Sequence, residues 1–302
     1  MILASIDVGT NSIRLLISEF KNSALFDIVR KVKITQLGAG MDKNKLISED
    51  ALNRTLNVLK EYKKIIDKHK IYKYLVVGTS ALRECKNSKQ FIEIVKKVSN
   101  LKVKIKSGED EAYYSFLGAT HQFNDKKTRL VVDIGGGSTE LILGKPGKIK
   151  LSYSLPIGCI RLTEKHLLSD PPNKEQIKNS FIFLESILRN SLKKISDFDI
   201  YQIIGLGGTI SALVSIKQKL KKHNFNKIHL FKLKIEDIEK IFERLSKISL
   251  KERKEVIGLE EKRADTVLGG TIILLSLLRI FKKNEIIISQ RDMLDGIIYS
   301  LI

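Results

Sequence analysis

At 302 residues, 43% hydrophobic and 29% charged, the chain has globular composition and room for one large domain or two ordinary ones. The 54 Lys and Arg against 34 Asp and Glu leave a formal charge of +20, a field that draws polyanions. No apolar run reaches the roughly 18 residues of a membrane span, and Met1 enters a strand with no basic leader, so a cytoplasmic protein without membrane association is expected.

The first third reads as three strands, Leu3 to Ile6, Ile13 to Ile17 and Leu25 to Thr35. A helix opens near Ser48 with Leu52, Leu56, Leu59, Ile65 and Ile66 on its apolar face. The strand Tyr74 to Val77, a helix through Ile92 and Val95, the strand Val103 to Ile105 and a helix from about Glu109 complete this part. After a polar connector at His121 to Lys127 the three-strand opening recurs, as Leu130 to Ile134, Glu140 to Leu143 and Ile149 to Tyr153. A long helix then follows Asp170-Pro171-Pro172, with Ile177, Phe181, Leu184, Ile187 and Leu188 at helical period. The strand Tyr201 to Ile204 runs into a glycine turn and a helix from about Ile210; a helix Thr266 to Ile280, a strand Ile286 to Ile288 and a last helix Met293 to Leu301 finish the chain.

The same device joins the first two strands of each half. Asp7-Val8-Gly9-Thr10-Asn11-Ser12 and Asp133-Ile134-Gly135-Gly136-Gly137-Ser138 each end a strand on an acid and turn on glycine, a hairpin whose N–H groups can cradle phosphate. A third turn, Gly205-Leu206-Gly207-Gly208-Thr209, meets a helix N-terminus, where free N–H groups and the dipole favour anions. Asp133 and Glu140 flank the triple-glycine hairpin and supply hard oxygens for Mg²⁺ or another divalent cation, with Asp7 in the equivalent place of the first hairpin. Arg14 and Arg83 are placed to offer guanidinium forks to phosphate. At Ser107-Gly108-Glu109-Asp110-Glu111-Ala112 an acid could position an attacking water, but the residues alone do not separate Glu109, Asp110 and Glu111.

Cys85 and Cys159 lie far apart without metal spacing, so neither a disulfide framework nor a zinc site is indicated and two buried thiols are expected. Nucleic acid is disfavoured as a partner: there is no Trp, aromatics are 7%, and no basic stretch is interleaved with stacking residues. The Lys clusters at Lys217 to Lys222 and Lys251 to Lys254 read as solvated helix faces.

Three glycine turns over two duplicated α/β halves resemble the actin-like ATPase superfamily. The segments SIDVGTNSIRLLI, GTSALREC, SGEDEA, VVDIGGGSTELIL, SLPIGCIRLTE, IIGLGGTISAL and RADTVLGGTIILLSLL resemble, in order, those of the exopolyphosphatase and guanosine pentaphosphate phosphohydrolase family. That resemblance implies two actin-like (ribonuclease H-like) domains, residues 1–124 with a C-terminal helix at about 291–302 and residues 125–290, with the active site in the cleft between them. It implies Glu111 as the acid that activates water, Asp133 and Glu140 as metal and phosphate acids, and Arg83 as a catalytic arginine. It also implies phosphate contacts from Gly9, Thr10, Asn11, Ser12 and Arg14 and from Gly136, Gly137, Ser138 and Thr139; the third turn adds Gly207, Gly208 and Thr209.

The expected reaction is Mg²⁺-assisted removal of the terminal phosphate of inorganic polyphosphate or of guanosine pentaphosphate, the stringent-response nucleotide. Two other readings stay open, a small-molecule kinase of the same superfamily and a non-catalytic sensor of alarmone nucleotides. The chain has Gln36-Leu37-Gly38 where relatives carry R-L-G, which replaces a phosphate-binding arginine with an uncharged donor. With its last residue at Ile302 the chain resembles a short member, expected to lack the helical domains that extend the channel of longer ones, and its long helices could pair two subunits as a homodimer.

Overall fold

A glycine turn between two apolar strands fixes how those strands pair, and it does so twice. In the computed structural model, which describes residues 1–39, 41 and 45–302, the first pair is β1 (Ile2–Val8) and β2 (Ser12–Lys21). They run antiparallel with Asp7 opposite Arg14 and Val8 opposite Ile13. β3 (Ala24–Ile34) joins β2 antiparallel, while β4 (Tyr74–Gly78) and β5 (Val103–Ile105) continue parallel from β1, giving the order β3-β2-β1-β4-β5. Parallel neighbours need crossovers. These are α1 (Glu49–Lys68) and then α2 (Ser80–Glu84) with α3 (Ser88–Ser99), and α4 (Gly108–Thr120) follows β5. Ser48 caps α1, its hydroxyl accepting from the Ala51 N–H, as the sequence expects of this position.

The second sheet repeats the plan. β6 (Arg129–Ile134) pairs antiparallel with β7 (Thr139–Lys145), β7 with β8 (Lys148–Leu155), and β9 (Gln202–Leu206) lies parallel to β6. β10 (Lys232–Lys234) and β11 (Glu285–Ile288) complete the order β10-β11-β9-β6-β7-β8, with β11 parallel to β9. Apart from the added edge strand β10, the relations match those of the first sheet strand for strand. This is the ribonuclease H-like sheet of the actin-like ATPases, present twice.

The helices here are α5 (Cys159–His166), α6 (Lys174–Ser196), α7 (Gly208–Lys217), α8 (Phe225–Ile228), α9 (Ile235–Ser246), α10 (Leu250–Lys254) and α11 (Val267–Ile280). α11 is buried at every position from Val267 to Leu278, so it is apolar all round rather than striped. α2, α5, α8, α10 and β10 do not show in the sequence pattern because each is too short to display a period.

The chain separates into two compact units, Met1–Phe123 with Asp292–Ile302, and Asn124–Arg291. Each has its own core: Ile6, Leu15, Leu59, Tyr62 and Phe91 belong to the first, Leu130, Leu141, Leu188, Leu213 and Leu274 to the second. The last helix, α12 (Met293–Tyr299), returns to the first unit and lies against α4. A Cβ at Gly118 would stand 1.9 Å from the Asp292 carbonyl oxygen, and one at Gly296 would stand 1.8 Å from that of Tyr114. Glycine at both positions is what lets the two helices touch, and α4 carries Glu111 in its first turn.

Cys85 and Cys159 are free and buried, and burial pushes the Cys85 thiol up. Among the described residues no helix is long and apolar enough to cross a membrane.

Candidate active site

In the first unit the hairpin tip closes by a hydrogen bond from the Gly9 N–H to the Ser12 carbonyl (3.0 Å). Its outer carbonyls are held by the segment after β3: Thr35 and Gln36 N–H donate to Asn11 (3.0 and 2.9 Å), and Gly38 N–H donates to Thr10 (2.9 Å). A Cβ at Gly38 would fall 2.4 Å from the Thr10 methyl, so Gln36-Leu37-Gly38 clamps the hairpin through backbone contact. The Thr10 and Ser80 hydroxyls meet at 2.9 Å, and the Thr79 N–H and hydroxyl both donate to the Val8 carbonyl at 3.3 Å. The hairpin is thereby stitched to the β4–α2 turn. The helix that follows, α2, carries Arg83, which forms an ion pair with Glu111 and donates from Nη1 to the Lys106 carbonyl (2.8 Å).

The three acids of α4 now separate. Asp110 closes a capping box with Ser107, accepting from its N–H (3.3 Å) while the Ser107 hydroxyl accepts from the Asp110 N–H (3.1 Å). Glu109 is exposed, and Glu111, half-buried, is the one that meets Arg83.

In the second unit the Gly135 N–H donates to the Ser138 carbonyl (2.9 Å), the counterpart of Gly9 and Ser12. The segment after the third strand again holds the tip: Cys159 N–H donates to Gly135 (2.9 Å), and Ile160 and Arg161 N–H donate to Gly136 (3.0 and 3.3 Å). The carbonyls of Gly135 and Gly136 are thus taken, while among the described residues no backbone acceptor is bonded to the Gly136 or Gly137 N–H. Asp133 and Glu140 face each other across the β6–β7 ladder, and Glu140 Oε1 accepts from Ser138 Oγ (2.7 Å) and Ser154 Oγ (3.0 Å). Asp133 also reaches the third turn: a Cβ on Gly207 would come within 3.0 Å of its Oδ1, and Gly207 has φ +96°. Glycine is required there by both the conformation and the approach.

Not every expected contact is available. Thr139 is fully buried and its hydroxyl donates to the Ile157 carbonyl (2.7 Å), so it anchors the hairpin instead of presenting its side chain to phosphate. Thr209 is likewise buried, its hydroxyl lying where a Cβ on Gly270 would be 2.4 Å away, which leaves only its backbone at the turn. Arg14 is committed to two carboxylates, Asp7 Oδ2 (2.8 Å) and Asp292 Oδ2 (2.7 Å), rather than offered to phosphate. Burial raises Asp7 above the ordinary carboxylate range against the pull of Arg14, and its Oδ1 is buried without a partner among the described residues. Burial also opposes the charge of Asp292, but Arg14, Arg30 and the Leu294 N–H outweigh it and hold that carboxyl below the ordinary range.

No group of three or more His, Cys, Asp and Glu side chains among the described residues is arranged to hold a metal. Asp7 with its arginine is a poor ligand. Asp133 and Glu140 fit the need of Mg²⁺, which takes one or two carboxylates and keeps several waters.

Two cations went unassigned in the sequence. A Cβ on Gly137 would lie 3.6 Å from the Arg161 Nε, and one on Gly208 would lie 1.8 Å from Arg263 Nη1. Arg161 and Arg263 therefore stand over the second hairpin and the third turn, with Arg161 also donating to the Pro156 carbonyl (3.2 Å) and Arg263 to Glu260 (3.3 Å). The signal was present, since both lie in SLPIGCIRLTE and RADTVLGGTIILLSLL.

Duplicated ribonuclease H-like sheets, each with a glycine hairpin between its first two strands, define the class as a protein of actin-like fold. The chain belongs to the Ppx/GppA phosphatase family, which it matches over residues 16–302. It is similar to the bifunctional 3-dehydroquinate synthase/phosphatase of Fusobacterium nucleatum, with 39% identity over 98% of this chain and 46% of that protein, so it spans less than half of that relative. It is also similar to exopolyphosphatase 2 of Mycobacterium tuberculosis, with 32% identity over 99% of this chain and 98% of that one. Among solved structures, the Aquifex aeolicus Ppx/GppA phosphatase in its type II variant superposes with a TM-score of 0.94 at 36% identity, covering 100% of this chain and 99% of that one.

Proposed function

We propose that the chain is an exophosphatase that hydrolyses the terminal phosphoanhydride of inorganic polyphosphate, of guanosine pentaphosphate, or of both. The observation that carries this reading is the Arg83–Glu111 pair, joined through the β4–α2 turn to the first glycine hairpin. Glu111 orients a water and takes its proton as the oxygen attacks the terminal phosphorus; the bridging P–O bond breaks, and the leaving chain is one phosphate shorter. Arg83 both holds the Glu111 carboxylate and offers positive charge to the phosphoryl oxygens. Gly9, Thr10, Asn11 and Ser12 in one unit and Gly136, Gly137, Ser138, Gly207, Gly208 and the Thr209 N–H in the other bind phosphate, assisted by Arg161 and Arg263. Asp133 and Glu140 would hold Mg²⁺, which would supply charge neutralisation, while Arg14 and Asp7 brace the first hairpin. The M. tuberculosis relative carries the name exopolyphosphatase and is matched nearly end to end, which supports the polyphosphate arm.

Phosphate release from tripolyphosphate, long-chain polyphosphate and guanosine pentaphosphate in Mg²⁺ tests the reading and ranks the substrates. Glu111→Gln is expected to lower kcat by about 10²–10⁴ while polyphosphate binding survives. Wild-type turnover in that variant would remove Glu111 from the mechanism, and binding without release in the unmodified protein would favour a sensor.

A further inference from the structure

At the free edge of the first sheet, Lys102, Lys104 and Lys106 alternate along β5 and its flanks, so their side chains share one face. They line a concavity of about 790 Å³ together with Tyr72, which is 90% exposed, and the exposed Tyr113. Among the described residues neither Lys102 nor Lys104 has a carboxylate partner; the one acid of the groove is Asp110, 3.5 Å from the Lys106 ammonium. Residues two apart on a strand stand roughly 6.6 Å from one another, so the three ammonium groups form a rail that a compact anion cannot span and a linear one can. The groove adjoins the chemistry, because Lys106 gives its side chain to the groove and its carbonyl to Arg83, and Asp110 precedes Glu111.

We propose that this groove is a second binding site for inorganic polyphosphate, holding interior phosphates of a chain through Lys102, Lys104 and Lys106 with tyrosine hydroxyls as added donors. The proposal rests on the reading of polyphosphate as substrate. Its role is retention: a chain gripped along its length stays on the protein after each terminal phosphate leaves, which raises effective concentration at the reacting end. Single-stranded nucleic acid has the same run of phosphates, but the continuity of the groove with the Arg83–Glu111 pair favours the substrate.

The test is equilibrium binding of end-labelled long-chain polyphosphate to the full chain and to its Lys102→Gln/Lys104→Gln variant, across a salt series and without Mg²⁺. Both lysines are exposed, and matching thermal melts establish that the variant is folded. Affinity should fall about tenfold, and the slope of log K against log salt should flatten by about 1 to 2, as expected for two lost phosphate contacts. In turnover, the ratio of kcat/KM for long-chain polyphosphate to that for tripolyphosphate should fall with it. Unchanged affinity and slope would overturn the proposal. So would a single-stranded RNA that binds more tightly than polyphosphate of matched charge and is lost in the same variant. Because binding is read without turnover, a protein that grips polyphosphate here but releases no phosphate would sink the functional reading and leave the groove standing.

Discussion

The duplicated hairpins differ in charge at one facing pair, Asp7 with Arg14 in the first unit and Asp133 with Glu140 in the second. A carboxylate opposite a guanidinium neutralises itself, whereas two carboxylates side by side call for a cation. The first hairpin is thus braced internally, whereas the second carries two acids where the proposed reaction needs a cation. Asp7 nevertheless sits in a place that disfavours its charge, since burial holds its pKa above the 3.8 of the unfolded chain. Below pH 3.8 both states are protonated; as pH rises through the higher folded value the unfolded chain has already released its proton, and folding loses stability. Asp7→Asn should therefore melt above the parent at neutral pH, with the gap closing toward pH 3.8, because Arg14 keeps Asp292 as its partner. Thermal denaturation across this range checks it, and a lower melting point for the variant at neutral pH would refute it.

At the scale of elements, the crossing of α4 with α12 sets where Glu111 stands. Gly296→Ala would drive a methyl into the Tyr114 backbone, and the expected loss is about 1–3 kcal/mol with a fall in kcat as α4 shifts; denaturant titration beside phosphate release reads both. The same helix pair carries a pH-sensitive contact, His121 stacked on Tyr299 at 3.5 Å between ring centroids. Burial lowers the His121 pKa from 6.5, so the unfolded chain binds a proton first and stability is lost as pH falls below 6.5. His121→Phe should flatten the melting curve between pH 5 and 6.5, and an unaltered slope would assign the loss elsewhere.

Much of this was legible in sequence because it is local: the strand–turn–strand hairpins, the Ser48 cap and the GEDEA turn declare themselves within a dozen residues. Alternation along β7 also places Thr139 on the face of the buried Leu141 and Leu143 and Glu140 on the other. What the sequence hides is distance along the chain. Nothing near Gly208 announces Arg263, nothing near Arg14 announces Asp292, and only the arrival of Arg83 on α2 sets Glu111 apart from its neighbours on physical grounds, where the sequence had the resemblance alone.

For the whole molecule the governing quantity is the charge of +20. A polyphosphate approaching such a surface is steered before it is bound, and exposed charges are screened beyond a Debye length of about 10 Å at 0.1 M salt. Steering acts on capture, whereas in the proposed reaction the Arg83–Glu111 pair would act at contact, where salt screens less. Raising ionic strength at fixed free Mg²⁺ should therefore raise KM for long-chain polyphosphate by on the order of tenfold while kcat changes little. Steady-state kinetics in a salt series, with an uncharged osmolyte as control, separates the two. If kcat falls with KM unmoved, the charge is supporting the reacting geometry rather than the encounter, and the lysines outside the site have no part in bringing substrate to it.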